Sequence, residues 1–257
     1  MKFKKMHGLG NDFVILDHRK DPAKLSHEFI THICDRHTGV GCDQLIVMEP
    51  SQKADFFMRI YNGDGSEAQA CGNATRCVAD IYLKETGAAN CTIETLAGVL
   101  GGRAVGDLIE IDMGAAKAVE DLSLADGGVE NPVSVNMGNP HIVFFTPDVA
   151  ALDIETLGPR FENDPLFPQR TNVEFVQVLS PDHLRMRVWE RGAGVTLACG
   201  SGACAVMAAA AHRGLSDNKI TLTLDGGDLT MELREEDNHI LMTGPIAYVF
   251  DGIFKNI

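Results

Sequence analysis

The feature that most constrains the fold is an internal duplication at a constant offset of 128 residues. The offset carries Gly10-Asn11 onto Gly138-Asn139, and Ala70-Cys71-Gly72 onto Ala198-Cys199-Gly200. Arg59 and Arg187, Val78 and Val206, and Gly98 and Gly226 recur at the same spacing, and Gln44 corresponds to Asn172, which carries the same amide group. Because the halves align almost without gaps, we expect two copies of one structural unit.

Secondary-structure signals repeat together with the residues. Apolar or alternating segments predict matching strands at 13–16 and 142–145, 57–61 and 184–189, 92–96 and 220–224, and 108–113 and 239–243. Small residues after each Cys-Gly predict helices at 73–84 and 201–213, each ending near a glycine. The sequence therefore predicts an α+β fold of two pseudo-symmetric domains, 1–117 with Cys71 and 118–257 with Cys199. A site between such halves would be lined by matching elements.

Composition excludes several classes of function. The chain has 257 residues, of which 45% are hydrophobic, enough for a substantial core. Its net charge of −14 disfavours nucleic acid and anionic membranes as partners. The sequence contains no run of transmembrane length and no secretory signal, and its seven cysteines are an odd, dispersed set. We therefore expect reduced thiols and a cytoplasmic location.

The recurring cysteines carry the chemical argument. Cys71 and Cys199 each precede a glycine at a predicted helix start. Unpaired N–H groups and the positive end of the helix dipole favour a thiolate there. The small residues that follow, at 72–74 and 200–202, would let the same N–H groups approach a carboxylate.

Paired thiols suggest inversion of a stereocentre. Two acid/base groups of one type, on opposite faces of a carbon, can remove one proton and return another. The charge that spreads into an adjacent carboxylate would be stabilised by the helix-start donors. Such a reaction needs neither pyridoxal phosphate nor a metal, so no cofactor and no metal site is expected.

Other interpretations explain less of the sequence. Cys71 and Cys199 could be buried structural residues, since free cysteine is often buried. A cysteine hydrolase leaves the second copy unexplained, and the C-x-x-C spacing of a redox pair is absent. A zinc site at His32, Cys34, His37 and Cys42 lacks the usual paired spacing. A helix over 26–36 with Cys34 in the core is the preferred alternative to zinc.

Several motifs resemble those of the diaminopimelate epimerase family. The resemblance covers nearly the whole chain. The matching segments are Lys5-Met6-His7-Gly8-Leu9-Gly10-Asn11-Asp12-Phe13, Asn62-Gly63-Asp64-Gly65-Ser66-Glu67, Ala70-Cys71-Gly72-Asn73, Gly138-Asn139-Pro140-His141, Arg170-Thr171-Asn172-Val173, Glu190-Arg191-Gly192-Ala193-Gly194 and Ala198-Cys199-Gly200-Ser201-Gly202. The resemblance implies two domains, each a mainly antiparallel sheet wrapped around a helix.

The resemblance also implies an activity and its residues. The reaction is interconversion of LL-2,6-diaminopimelate and meso-diaminopimelate, in lysine and bacterial peptidoglycan precursor biosynthesis, by a homodimer. Cys71 and Cys199 match the catalytic acid/bases, with His141 and Glu190 in support. Positions that match the substrate site are Asn11, Gln44, Asn62, Gly72, Asn73, Asn139, Asn172, Glu190, Arg191, Gly200 and Ser201. A small-molecule amino acid is the expected partner.

The sequence differs from the family pattern at three positions, and two other functions can be weighed against the resemblance. Ala74 stands where the family often has glycine, Cys42 where it often has an aromatic residue, and Phe250 where tyrosine is common at a dimer contact. A proline racemase or hydroxyproline epimerase takes a secondary amine with no distal amino-acid group, and the polar set Asn62, Asn172, Glu190 and Arg191 argues against it. A non-catalytic binding protein on the same scaffold would not need both cysteines at helix starts.

Overall fold

The computed structural model describes residues 1–255. Its chain divides into two compact units: unit 1 is Met1–Ile111 together with the chain from Gly244 onward, and unit 2 is Asp112–Thr243. The sequence placed the division at 117/118 and gave the C-terminal strand to the second half. The structure instead gives that strand to unit 1, because Lys2–Gly8 pairs antiparallel with Ala247–Ile253.

Twenty strands and four helices follow one another along the described chain. In order they are β1 Lys2–Gly8, β2 Asn11–Asp17, α1 His27–Cys34, β3 Gln44–Glu49, β4 Phe56–Asn62, β5 Glu67–Ala68, α2 Gly72–Thr86, β6 Asn90–Thr95, β7 Gly98–Val105, β8 Leu108–Ala115, β9 Ala118–Asp121, β10 Ala125–Asp126, β11 Val129–Glu130, β12 Val133–Asn136, β13 Pro140–Phe145, α3 Ile154–Glu162, β14 Asn172–Ser180, β15 His183–Glu190, β16 Gly194–Thr196, α4 Gly200–His212, β17 Lys219–Leu224, β18 Gly227–Leu233, β19 His239–Gly244 and β20 Ala247–Ile253.

Unit 1 is a mainly antiparallel sheet. Strand β1 lies between β20 and β2, both antiparallel to it. Strand β2 runs parallel to β3, which pairs antiparallel with β4. Strand β4 pairs antiparallel with β5 and parallel with β6, and β6 continues antiparallel into β7. Helix α2 packs on β1, β2, β6 and β7, so the sheet surrounds the helix that follows Cys71.

Unit 2 repeats this connectivity. Strand β12 pairs antiparallel with β9 and β13, and β13 runs parallel to β14. Strand β14 pairs antiparallel with β15, which pairs antiparallel with β16 and parallel with β17. Strands β17, β18 and β19 are antiparallel neighbours, and α4 packs on β9, β12, β13, β14 and β18. The duplicated α+β fold is confirmed.

The two central helices begin where the repeated motif predicts. Cys71 is the N-cap of α2 and Cys199 the N-cap of α4. Helix α2 ends at Gly87, which has φ +70° and whose N–H bonds the Leu83 carbonyl at 2.9 Å. Helix α4 buries mostly small side chains, which allows the sheet strands to approach it closely.

Each unit also has a shorter helix, α1 packed on β3 and α3 packed on β14, β15 and β16. Ser26 caps α1 by accepting a hydrogen bond from the Phe29 N–H at 3.1 Å, close to the predicted start at residue 26. Cys34 and Cys42 lie in the core cluster beneath α1. Asp153 caps α3, whose Phe161 packs on Phe144 with ring centroids 4.4 Å apart. Within residues 1–255, no helix is both long and apolar enough to span a membrane.

Candidate active site

In unit 1 the sheet register brings together polar residues that are distant in sequence. Gln44 at the start of β3 lies opposite Asn62 at the end of β4. Asn11 begins the neighbouring strand β2, and Asn73 lies in the first turn of α2, behind Cys71. The predicted unit 1 site residues therefore assemble around the start of α2.

A directional hydrogen-bond chain fixes the Asn11 side chain. Arg76 can only donate, and its guanidinium bonds Asn73 Oδ1 at 2.8 Å. Asn73 Nδ2 therefore donates to Asn11 Oδ1 at 3.3 Å, and Asn11 Nδ2 donates to the Asp43 carboxylate at 2.9 Å. The same Asn11 oxygen accepts from the thiol of Cys71 at 3.6 Å. The amide oxygen of Asn11 is thus held against the first cysteine.

A second chain orients Gln44. Ser66 donates to the Asp64 carboxylate at 2.6 Å and accepts from Asn62 Nδ2 at 3.1 Å. Asn62 Oδ1 therefore accepts from Gln44 Nε2, at 2.9 Å. Gln44 Oε1 is buried and has no hydrogen-bond partner among residues 1–255. A buried acceptor of this kind fits an N–H donor of a bound ligand.

The second cysteine lies in a more enclosed position. Cys199 is 5% exposed, and its sulfur accepts from the Gly202 N–H at 3.4 Å and lies 3.7 Å from the Ser201 hydroxyl. Burial, followed by the nearby carboxylates of Glu190 and Glu174, raises the pKa of the Cys199 thiol well above its usual range. The bonds from Gly202 and Ser201 lower that pKa in part. At Cys199, burial therefore outweighs the helix-start effect that the sequence suggested.

Glu190 lies against this cysteine at the end of β15. Burial raises the pKa of its carboxyl, and hydrogen bonds with Thr196 and Cys199 lower it in part. The Glu174 charge raises it further, while His141 lowers it. Glu190 and Cys199 are therefore electrostatically linked.

A chain of side chains runs from β13 to the start of α4. The His141 ring is fully buried and contacts Glu174 Oε1 through Nδ1 at 2.7 Å and Asn139 Oδ1 through Nε2 at 3.0 Å. Asn139 Nδ2 donates to the Ser201 hydroxyl at 3.3 Å, which in turn contacts Cys199. His141, Asn139 and Ser201 were predicted site residues, whereas Glu174 was missed. The available signal was a single acidic residue inside the apolar start of β14.

Asn172 and Arg191 form the outer part of the unit 2 site. Asn172 Nδ2 donates to the Pro140 carbonyl at 2.9 Å, and Asn172 Oδ1 accepts from the Arg191 N–H at 3.0 Å. The Arg191 guanidinium donates to the Gln169 carbonyl at 3.1 Å. These contacts place the Arg191 loop at the start of β14, next to the strand that carries His141.

The first turns of the central helices supply backbone donors. Gly72 and Asn73 begin α2, and Gly200 and Ser201 begin α4. The first N–H groups of a helix have no partner within the helix, and they carry partial positive charge. Each unit thus presents the helix-start donors that the sequence assigned to a carboxylate.

Three of the four residues weighed as a zinc site, Cys34, Cys42 and His32, have other side-chain contacts. The Cys42 thiol donates a hydrogen bond to the sulfur of Cys34, and the two sulfurs are 3.6 Å apart. The His32 ring packs edge-on against Phe254 at 5.7 Å. In the described part of the chain, no three or more His, Cys, Asp or Glu side chains are grouped as a metal site would require.

Comparisons with known proteins agree with the duplicated fold. The sequence model of the family described as diaminopimelate epimerase matches twice, at residues 3–119 and 133–249. A diaminopimelate epimerase of Rhodospirillum centenum is 52% identical over 98% of this chain and 91% of that protein. One of Acidiphilium cryptum is 51% identical over 97% of this chain and 95% of that protein.

Solved structures show how widely the fold occurs. A Bacillus anthracis phenazine biosynthesis protein of the PhzF family aligns with a TM-score of 0.76 at 18% identity, covering 98% of each chain. A hydroxyproline epimerase from Agrobacterium vitis aligns with a TM-score of 0.69 at 16% identity, covering 98% of this chain and 91% of the other. At such low identity these similarities show the fold alone.

The fold, the repeated cysteine motif and the full-length sequence matches define an isomerase of the epimerase class. Identity near one half over almost the entire chain then separates it from the structural neighbours that share only the fold. The chain belongs to the diaminopimelate epimerase family.

Proposed function

We propose that the chain interconverts LL-2,6-diaminopimelate and meso-diaminopimelate by a cofactor-independent, two-base thiol/thiolate mechanism. The observation that carries the proposal is the recurrence of one arrangement in both units. Cys71 and Cys199 are each the N-cap of a central helix, and each contacts a polar side chain, Asn11 or Ser201, of its own unit. A merely structural cysteine would not need this environment twice.

In the proposed reaction, one cysteine is a thiolate that removes the α-proton, and the other is a thiol that returns a proton to the opposite face. The roles exchange with the configuration of the substrate. Negative charge passes into the α-carboxylate, where first-turn N–H groups of α2 and α4 stabilise it. Glu190, hydrogen-bonded to Cys199, and His141, linked to it through Asn139 and Ser201, support the second cysteine.

Polar groups in both units suit a substrate with two amino-acid ends. Gln44 Oε1 offers a buried acceptor to an ammonium group, and the Glu190 carboxylate suits a second one. Arg191 suits the distal carboxylate because its planar guanidinium can form two parallel hydrogen bonds. We further propose Asn11, Asn62, Asn73, Asn139 and Asn172 as substrate-binding residues, with the backbone of Gly72 and Gly200.

We also propose a homodimer in the cytoplasm that serves lysine and bacterial peptidoglycan precursor biosynthesis. Exposed apolar side chains on β20, Tyr248, Val249, Phe250 and Ile253, support an association surface. No disulfide joins any of the seven cysteines, all of which lie within the described residues, as suits a reducing compartment. Analytical ultracentrifugation of the purified chain tests the dimer directly, and a monomer at micromolar concentration would contradict it.

The activity has a direct test. Purified protein is incubated with LL-diaminopimelate in deuterated water, and α-hydrogen exchange and product stereochemistry are followed by NMR and chiral chromatography. We expect meso product with deuterium at the inverted carbon, and no turnover of proline or hydroxyproline. Inversion of proline without reaction of diaminopimelate would overturn the proposal.

A further inference from the structure

Glu174 is a buried acidic residue that the proposed reaction does not yet use. It lies in β14, is fully buried, and has Oε1 within 2.7 Å of His141 Nδ1. Its second oxygen, Oε2, is buried with no hydrogen-bond partner in residues 1–255. Burying a carboxylate is costly unless it is paired. Its position next to a site histidine therefore indicates a role there.

A chain of hydrogen bonds begins at Glu174 and leads to Cys199 through three side chains: His141, Asn139 and Ser201. Both ring nitrogens of His141 face oxygens that accept, the Glu174 carboxylate and Asn139 Oδ1. A doubly protonated, positively charged ring satisfies both oxygens, because each ring nitrogen then donates to one of them. Asn139 Nδ2 donates onward to Ser201, whose oxygen accepts this bond and whose proton is left for the Cys199 sulfur.

We propose that Glu174 is a positioning residue that keeps His141 doubly protonated and thereby directs a hydrogen bond from Ser201 to the sulfur of Cys199. The inference rests on the proposed role of Cys199 as an acid/base. With a neutral ring, His141 Nε2 would accept a hydrogen bond. The Asn139 amide would then turn over so that its nitrogen faces His141 and its oxygen accepts from the Ser201 hydroxyl. Ser201 would then accept from the thiol, and the thiolate would lose a donor.

The charges around Cys199 come from several elements. Glu174 on β14 and Glu190 on β15 both raise the pKa of the thiol after burial, whereas the bonds from Gly202 and Ser201 lower it. His141 on β13 is the basic group in contact with Glu174. A positive His141 ring neutralises Glu174, so the pair as a whole no longer opposes the thiolate.

Gly202 allows this arrangement at the start of α4. A Cβ atom on Gly202 would lie 2.7 Å from Glu174 Oε1 and 3.3 Å from the sulfur of Cys199. The carboxylate and the sulfur therefore approach the same turn of helix from two sides. Any side chain at 202 would have to displace one of them.

Replacement of Glu174 distinguishes the proposed arrangement from a simple charge effect. If His141 is neutral, Glu174→Gln removes a bare negative charge, and the Cys199 thiolate forms at lower pH. If His141 is charged and held by Glu174, the substitution reverses the chain, and the thiolate forms at higher pH. The sign of the change therefore decides between the two cases.

The experiment follows alkylation of Cys199 by iodoacetamide against pH in the full-length protein. Initial rates are measured on the Cys199 peptide by mass spectrometry, because the thiolate is the reactive form. We expect Glu174→Gln to raise the pH of half-maximal rate by about one unit, an approximately tenfold slower reaction below that pH. An unchanged or lowered midpoint would overturn the proposal.

Two variants separate the positioning role from a general loss of structure. Glu162→Gln removes another buried carboxylate of unit 2, one that bonds Trp189 and Arg170 instead of His141, and its alkylation curve should coincide with that of the parent. Ser201→Ala should raise the midpoint as Glu174→Gln does, and the double variant should shift little further. If the two substitutions raised the alkylation midpoint additively, Glu174 and Ser201 would act independently, and the proposed chain of hydrogen bonds would be refuted.

The ring state of His141 is also measurable without substitution. Nitrogen-15 NMR of the His141 ring in the parent protein at pH 8 should show both nitrogens protonated. One unprotonated ring nitrogen would contradict the proposal even if Glu174→Gln failed to fold. Alkylation and NMR do not depend on turnover. If the protein were inactive but Glu174→Gln still raised the pH of half-maximal alkylation, the proposed reaction would be refuted and the positioning role of Glu174 would stand.

Discussion

Asn11 Oδ1 lies 3.6 Å from the sulfur of Cys71 and accepts a hydrogen bond from its thiol. The equivalent residue in unit 2, Asn139, is linked to Cys199 through Ser201. The duplicated units have thus kept the cysteine and the asparagine while changing how they are connected. The two thiols consequently contact different polar side chains, although the backbone around them is repeated.

Replacing either Cys71 or Cys199 by alanine should abolish epimerisation, because inversion needs an acid and a base together. We expect turnover to fall by at least about 100-fold, with thermal unfolding little changed. Steady-state assays and calorimetry measure the two effects. Cys77→Ala and Cys204→Ala are matched controls, since these buried cysteines lie further along α2 and α4, and both should keep activity. Near-normal turnover in either of the first two variants would refute the two-base assignment.

The distal end of the substrate should control specificity. Lysine lacks the distal carboxylate that Arg191 is proposed to bind, and unsatisfied polar groups in the pocket can reduce kcat/KM on the order of 10⁴-fold. Arg191→Ala should weaken the reaction of diaminopimelate and narrow its advantage over lysine. Arg160→Ala, which removes an exposed arginine paired with Asp126, should change neither. Equal efficiency with lysine in the parent enzyme would exclude this pocket.

Stripping metals should leave activity unchanged. The proposed chemistry uses thiol groups and backbone donors, so treatment with EDTA followed by dialysis should not alter kcat or KM. Elemental analysis of the dialysed protein, together with the assay, checks this. If activity disappeared and returned with added zinc, a metal-dependent mechanism would have to replace the one proposed.

Acid should weaken unit 1 through Asp12. Burial raises the pKa of this carboxyl, but hydrogen bonds from Arg36 and Lys5 outweigh burial and hold the pKa well below its usual range. The stabilisation is therefore complete above about pH 4, the pKa of an aspartate in an unfolded chain, and is lost as pH falls toward the folded-state pKa. Asp12→Asn should lower the free energy of unfolding on the order of 2 kcal/mol at pH 7.

Urea unfolding at several pH values measures this effect. The difference between the parent and Asp12→Asn should shrink as pH falls below about 4, because Asp12 of the unfolded parent then takes up a proton while the folded parent still keeps the charge. Asp107→Asn, at an exposed turn before β8, should stay within about 0.5 kcal/mol of the parent throughout. A difference for Asp12→Asn that is constant with pH would show that its charge is not the cause.

The sequence by itself predicted the repeated fold and the helix starts that carry Cys71 and Cys199. The constant offset and the alternating strands fixed two α+β units, and the small residues after Cys71 and Cys199 fixed the two helix starts. These are local patterns, and each recurs, so one copy supports the interpretation of the other. The sequence also predicted many of the residues that meet within each unit, but not Glu174.

Only the tertiary structure determined how these residues are connected. Strand β20 joins β1, more than half the chain away, so the last strand belongs to unit 1 and not to the second half. Glu174 meets His141 because β13 and β14 are parallel neighbours, and Asp43 meets Asn11 across a similar pair. Hydrogen-bond direction and burial depend on which strands become neighbours, and that is set by packing of the whole sheet.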